Sequence, residues 1–194
     1  MNTCLAYDSV DTCLLLDHAN VPEDILVRAY ATVIGNYSDP NGNVFVPALG
    51  LNLPTFRGLL AVYFSQFTAP MSWLNEQSVP LSDEGALAEF TDLLQLLLDH
   101  RAVDDEHHRC VAHLVTTACM GNDHLWQDLG LPDRNALSKL LHNHFPYLAI
   151  KNTGEMKWKK FFYKQLCERE DIRVCKSPSC AACADYNKCF GPEI

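Results

Sequence analysis

Apolar residues recur at intervals of three and four positions along most of the chain, the pattern expected of helices that bury one face. The strongest instance predicts a helix that begins after Ser82, a residue suited to the N-cap, and ends near Arg101. The buried face of this helix is predicted to consist of Phe90, Leu93, Leu94, Leu97 and Leu98. Turn formers such as Gly, Pro, Asn and Asp separate it from the neighbouring segments.

Six further segments show helical spacing of apolar residues, and most are bounded by a capping residue, a proline or a glycine. A tripeptide at 44–46, Val-Phe-Val, has the character of a short strand, but no second strand is predicted to pair with it. The sequence therefore predicts an all-α fold, with residues 1–168 as a single helical domain. The six predicted helices cover residues 21–34, 55–67, 105–119, 122–130, 132–144 and 154–167.

Composition supports a packed core: 48% of the 194 residues are hydrophobic. The first residues have no basic region followed by an apolar run, so no signal peptide is predicted. No apolar stretch is long enough to span a bilayer. We therefore expect a cytoplasmic protein without a membrane partner, in a compartment where thiols stay reduced.

Charge is distributed unevenly along the chain. The formal net charge of −9 argues against a nucleic-acid-binding protein. Residues 151–176 nevertheless hold eight Lys or Arg against four acids, a local net charge of +4. This basic segment leads directly into the most cysteine-rich part of the sequence.

Four cysteines near the C-terminus follow the spacing C-x4-C-x2-C-x5-C: Cys175, Cys180, Cys183 and Cys189. The residues between them are small or turn-forming and show no apolar periodicity, so they cannot fold by burying side chains. We therefore predict that residues 169–194 form an irregular segment that binds a metal or cluster through thiolates. A disulfide framework is disfavoured because the chain has nine cysteines, an odd number, and no secretory signal.

Spacing alone does not identify what the four thiols bind. Zinc sites usually consist of two short cysteine pairs separated by a longer loop, whereas continuous runs are more typical of iron–sulfur proteins. A structural zinc module in an interaction protein therefore stays open as an alternative. So does a thiol redox enzyme that uses Cys180 and Cys183 as a dithiol. No phosphate-binding loop, nucleophile elbow or HExxH motif is present.

Charged and polar residues upstream of the cysteines are candidates for supporting roles. Lys157, Lys160 and Lys164 share one helix face and could balance the negative charge of a cluster, bind an oxyanion or dock an acidic partner. The simpler interpretation of this face is an ordinary solvated surface.

One histidine and several further cysteines complete the set of candidates. His124 lies in a capped turn and could be a ligand or a hydrogen-bond donor to the site. The other seven histidines are interpreted as surface or structural residues, and no pair of Glu-x-x-His motifs indicates a di-metal site. Cys119 and Cys167 are further ligand candidates, although each is more simply a core thiol, as are Cys4, Cys13 and Cys110.

Three ordered motifs resemble the NifQ family of nitrogen-fixation proteins. They read HLWQDLGL at 124–131, MKWKKFFY at 156–163 followed by LCE at 166–168, and CKSPSCAAC at 175–183 with CFG at 189–191. The resemblance covers roughly residues 100–194 and is strongest, within the helical domain, over 100–168. The cysteine spacing of the family matches this sequence without a gap.

The resemblance implies a non-enzymatic carrier of a molybdenum–iron–sulfur cluster, held by Cys175, Cys180, Cys183 and Cys189. It implies delivery of molybdenum to the biosynthesis of the iron–molybdenum cofactor of nitrogenase. The partners that it implies are the nitrogenase iron protein and the cofactor-assembly scaffold. Molybdenum follows from the resemblance only, because thiolate ligands suit iron and zinc equally well.

Overall fold

A computed structural model of the chain describes residues 12–36, 47–68, 84–170 and 186–193, and these form helices and turns with no strand among them. The predicted all-α class is confirmed for these ranges, whereas the strand candidate at 44–46 and the Ser82 cap lie outside them. The described helices are α1 (Thr12–Asp17), α2 (Ile25–Asn36), α3 (Leu53–Tyr63), α4 (Glu84–Asp99), α5 (Glu106–Cys119), α6 (Leu125–Asp128), α7 (Arg134–His144), α8 (Pro146–Ala149), α9 (Trp158–Arg169) and α10 (Tyr186–Phe190).

Side-chain caps explain where several helices begin. Asn52, Asp105 and Asp133 precede α3, α5 and α7, and each accepts a hydrogen bond from a main-chain N–H three residues later, at 2.8–2.9 Å. A cap of this kind satisfies an N–H group that has no partner within the helix. The predicted starts of these helices were therefore close to the observed ones.

The sequence predicted that helix α9 begins near Gly154, but the helix begins at Trp158. The cause is a tight turn in which the Asn152 carboxamide accepts from the Met156 N–H at 2.9 Å and donates to the Met156 carbonyl at 2.8 Å. Within this turn Glu155 has a φ of 52°, which is incompatible with a right-handed helix. Apolar spacing continues through the turn, so periodicity alone placed the boundary too early.

The core is organised around α5. Nine of its 14 residues are buried, and it contacts α2, α4 and α6. Helix α9 packs against α4 and buries Trp158, Phe161 and Phe162, which form a cluster of rings with centroids 5.7–6.1 Å apart. In the described ranges, no helix is long and apolar enough to cross a membrane.

The cysteine-rich segment at 169–194 was predicted to be irregular throughout. Near its end, however, Tyr186–Phe190 forms the short helix α10. Tyr186 stacks on Phe190 with ring centroids 4.4 Å apart, a contact that one helical turn brings about. Phe190 and Cys189 also pack against the core. Residues 171–185 lie outside the described residues, so the domain boundary near residue 168 stays a prediction.

The cysteines of the helical domain differ in whether they are free thiols or form a disulfide. Cys110 is a buried free thiol, as predicted. Cys13 is disulfide-bonded and not the free core thiol that was predicted. Cys119, Cys167 and Cys189 are free thiols, and Cys4 lies outside the described residues.

Candidate functional site

Of the four cysteines in the C-terminal run, only Cys189 lies within the described residues. It is half-buried in α10, and its carbonyl oxygen accepts a hydrogen bond from the Lys157 N–H at 2.8 Å. This contact holds Cys189 at the beginning of α9. Cys175, Cys180 and Cys183 lie outside the described residues, so the joint arrangement of the four thiols stays a prediction.

The three predicted charge-compensating lysines occupy different positions on α9. Lys157 is the half-buried N-cap residue and is the one joined to Cys189. Lys160 is exposed, and Lys164 is exposed with its Nζ 3.4 Å from the Glu168 carboxylate. Because Glu168 offsets the charge of Lys164, Lys157 and Lys160 are better candidates for balancing a negative ligand near Cys189.

Lys159 is a residue that the sequence analysis missed. Its Nζ donates to the Gly121 carbonyl at 2.8 Å and to the Asp128 carboxylate at 2.5 Å. The two side chains of this ion pair are only 17% and 12% exposed. The pair therefore ties α9 to the segment that carries α6. No signal in the sequence links Lys159 to Asp128, since the pairing arises only from the packing of two distant helices.

His124, the histidine singled out from the sequence, precedes α6 and approaches the C-terminal segment. Its main-chain N–H donates to the Gln127 side chain at 3.1 Å, which fixes the start of the helix. Its Nδ1 lies 4.0 Å from Oε1 of Glu193, whose side chain is only 5% exposed. His124 and the residues just after Cys189 are therefore neighbours in the fold. The sequence analysis did not identify Glu193, because no sequence pattern relates this residue to His124, which is distant in the chain.

Gly130 fixes the end of α6 relative to α2. It has a φ of +63°, and a Cβ at this position would lie 2.2 Å from Oγ1 of Thr32. Only glycine satisfies both the backbone angle and this close approach. The short helix that follows His124 is therefore held at both ends.

Cys119 and Cys167, the two further ligand candidates, differ in burial. Cys119 lies in the core, and burial raises the pKa of its thiol to about 12, although the Lys159 ammonium lowers it in part. Since a metal binds the thiolate, this environment disfavours Cys119 as a ligand. Cys167 is half-buried on α9.

The burial of Cys119 leads to a prediction about its reactivity. In the folded protein at pH 8, iodoacetamide is expected to modify Cys167 much faster than Cys119, because the Cys119 thiol is both inaccessible and protonated. Peptide mass spectrometry after a time course measures the two rates. Denaturant should abolish the difference, and equal rates in the folded chain would contradict the buried position of Cys119.

Within the described ranges, no group of three or more His, Cys, Asp or Glu side chains is arranged to hold a metal ion as it stands. The described part of the candidate site therefore contains two contacts. Cys189 is bonded to Lys157 at the start of α9, and Glu193, four residues after Cys189, lies close to His124.

Residues 29–191 match the family model described as NifQ. The protein named NifQ from Azotobacter vinelandii is 42% identical over 153 residues, which cover 75% of this chain and 78% of that protein. A NifQ homolog from Sinorhizobium fredii is 46% identical over 146 residues, covering 74% of this chain and 61% of the homolog. The NifQ protein of Rhodobacter capsulatus is 40% identical over 98 residues, covering 50% and 54% of the two chains. No solved structure matches the chain.

Proposed function

The chain belongs to the NifQ family, and from this premise we propose that it carries a molybdenum–iron–sulfur cluster and supplies molybdenum for biosynthesis of the nitrogenase iron–molybdenum cofactor. In this proposal the thiolates of Cys175, Cys180, Cys183 and Cys189 hold the iron atoms of the cluster. The nitrogenase iron protein and the cofactor-assembly scaffold are its partners, and the carrier itself catalyses no reaction.

The observation that carries the proposal is the position of the last cysteine of the run. Cys189 is joined through its carbonyl to the first turn of α9, a helix of 12 residues. The N-terminal end of a helix has a partial positive charge, and Lys157 adds a full one. A cluster with thiolate ligands is negatively charged, so this is a favourable place to hold it.

A carrier must also release its cargo, and the positions of these residues suit release. Cys189 is half-buried and lies in a five-residue helix without a buried residue, not in the centre of the core. Short helices with little buried surface open at a lower free-energy cost than core helices. In our proposal, local opening of α10 exposes the cluster to the accepting scaffold.

Elemental analysis of anaerobically purified protein tests the proposal. We expect iron, acid-labile sulfide and molybdenum in one coloured protein, with an EPR signal in one of its oxidation states. A colourless protein that contains zinc alone would instead establish the alternative, a structural zinc-binding interaction module, and would contradict the carrier role. A metal-free protein with a reversible Cys180–Cys183 disulfide would indicate a redox function.

Neutralising Lys157 and Lys160, the two charge-compensating candidates nearest the start of α9, is expected to lower the reduction potential of the cluster. Reduction adds negative charge, which nearby ammonium groups stabilise, so the double variant Lys157→Gln/Lys160→Gln should make reduction less favourable. The expected shift is on the order of tens of millivolts toward negative potential, measured by EPR-monitored redox titration.

The control for this shift is Arg57→Gln, which removes one positive charge from an exposed position on α3. The control should leave the potential unchanged, because an exposed charge on α3 is screened by solvent and salt. If the double variant and the control shifted the potential equally, the two lysines would have no special electrostatic role.

A further inference from the structure

Residues 152–157, the α9-entry turn, form the surface against which α10 packs. The main-chain N–H of Lys157 donates to the Cys189 carbonyl at 2.8 Å. Gly154 faces the ring of Phe190, and a Cβ at this glycine would lie 3.3 Å from the nearest ring carbon. The α9-entry turn therefore contacts α10 at two points, and one of them is the main chain of the last cysteine in the run.

Arg134, the first residue of α7, joins that helix to the α9-entry turn. One nitrogen of its guanidinium group donates to the Glu155 carbonyl and, at 3.1 Å, to the Met156 carbonyl. Hydrogen bonds from a charged donor are stronger than those between neutral groups. The two carbonyl groups directly before Lys157 are thus held by a side chain from another helix.

The bond from Arg134 to Met156 acts on the same peptide unit that contacts α10. The Met156 carbonyl and the Lys157 N–H belong to one peptide unit, which is planar. A bond that holds the oxygen of this unit therefore also fixes the direction of its N–H, which points at the Cys189 carbonyl. A positive charge at the oxygen polarises the unit as well, so that the N–H becomes a stronger donor.

Other contacts of the α9-entry turn do not duplicate this role. The Asn152 carboxamide also donates to the Met156 carbonyl, at 2.8 Å, but Asn152 belongs to the turn and moves with it. The buried side chains of Met156 and Trp158 place the turn against the core. Their packing does not by itself set the rotation of the peptide unit between Met156 and Lys157, whereas the bond from Arg134 does.

We propose that Arg134 is a positioning residue for Cys189 and governs how firmly the chain retains its cargo. This inference rests on the proposed function, in which opening of α10 releases the cluster. Without the guanidinium group, the peptide unit before Lys157 can rotate away from the Cys189 carbonyl. Helix α10 then opens more often, and the cluster leaves faster.

Hydrogen exchange and iron release of Arg134→Met test this inference on the full chain, purified anaerobically. Methionine keeps an apolar stem but has no hydrogen to donate. The amide proton of Lys157 reports the contact directly, because its acceptor is the Cys189 carbonyl. We expect its exchange, followed by peptide mass spectrometry, and the removal of iron by a ferrous chelator both to become at least about threefold faster. Arg134→Lys keeps a cationic donor and should give rates between those of the parent and Arg134→Met.

Arg109→Met is the matched control, since it removes a guanidinium group that pairs with the exposed Asp104. Arg109 lies near the start of α5, the end of that helix that contacts His144, and His144 is at the opposite end of α7 from Arg134. The control should leave both rates unchanged. A general loss of stability would accelerate exchange in the buried part of α5 as well, whereas a positioning role predicts faster exchange only at Lys157 and in α10.

Gly154→Val disturbs the same contact from the other side, because the added side chain meets the Phe190 ring while the bonds from Arg134 stay in place. It should accelerate both rates, which verifies that the two measurements detect opening of α10. If Gly154→Val accelerated them and Arg134→Met did not, the inference would be overturned. A parent chain without iron would overturn the proposed function and the retention role with it, and exchange at Lys157 would still decide whether Arg134 positions Cys189.

Discussion

Replacing Cys189 by alanine is expected to remove iron and molybdenum together from the anaerobically purified protein. Cys189 belongs to the four-cysteine run, and its main chain is anchored to Lys157 at the start of α9. Loss of one of four thiolates from a single cluster should reduce the content of both metals at least about tenfold. Elemental analysis of the variant and the parent protein, purified side by side, measures the effect.

The helical fold should survive this substitution, because the contact with Lys157 uses the main-chain carbonyl and not the thiol. Cys167→Ala is the matched control: it removes another half-buried free thiol from the same helical region, outside the run. The control should retain both metals. Loss of molybdenum from Cys189→Ala with iron fully retained would argue against one shared cluster, and an unchanged content of both would exclude Cys189 as a ligand.

The helices could be predicted from the sequence because each of them depends on local information. Apolar spacing placed Phe90, Leu93 and Leu97 correctly on the buried face of α4, although Leu96 is buried there as well and Leu94 and Leu98 are only half-buried. The predicted starts of α5 and α7, at residues 105 and 132, lie close to the observed starts. The start of α9 was wrong because the turn at Asn152 depends on a side-chain hydrogen bond and a positive φ at Glu155. Neither feature changes the apolar pattern.

The candidate site was predictable only where its residues are neighbours in the sequence. The cysteine run and the basic face of α9 each occupy one short segment, so their spacing is informative. The fold brings Lys159 close to Asp128 and Glu193 close to His124. Because these contacts join residues that are distant in the sequence, they appear only in three dimensions.

Replacing Lys159 by methionine is expected to lower the free energy of unfolding by on the order of 3 kcal/mol. The substitution keeps the length of the apolar stem but leaves the Asp128 carboxylate, only 12% exposed, without its cationic partner. It also removes the donor to the Gly121 carbonyl. Denaturant unfolding of the metal-free chain, followed by circular dichroism, measures the change without a contribution from bound metal.

Two further variants separate the ion pair from the packing of the side chain. Lys160→Met changes an exposed lysine next to Lys159, and should alter the free energy of unfolding by less than about 0.5 kcal/mol. The double variant Lys159→Met/Asp128→Asn removes the unpaired charge, and should be more stable than Lys159→Met alone because the main cost is a carboxylate left without a partner. If Lys159→Met lowered the free energy of unfolding as little as Lys160→Met does, the ion pair with Asp128 would contribute little to stability. The segment that carries His124 would then have to be positioned by the packing of α6 and Gly130 against their neighbours.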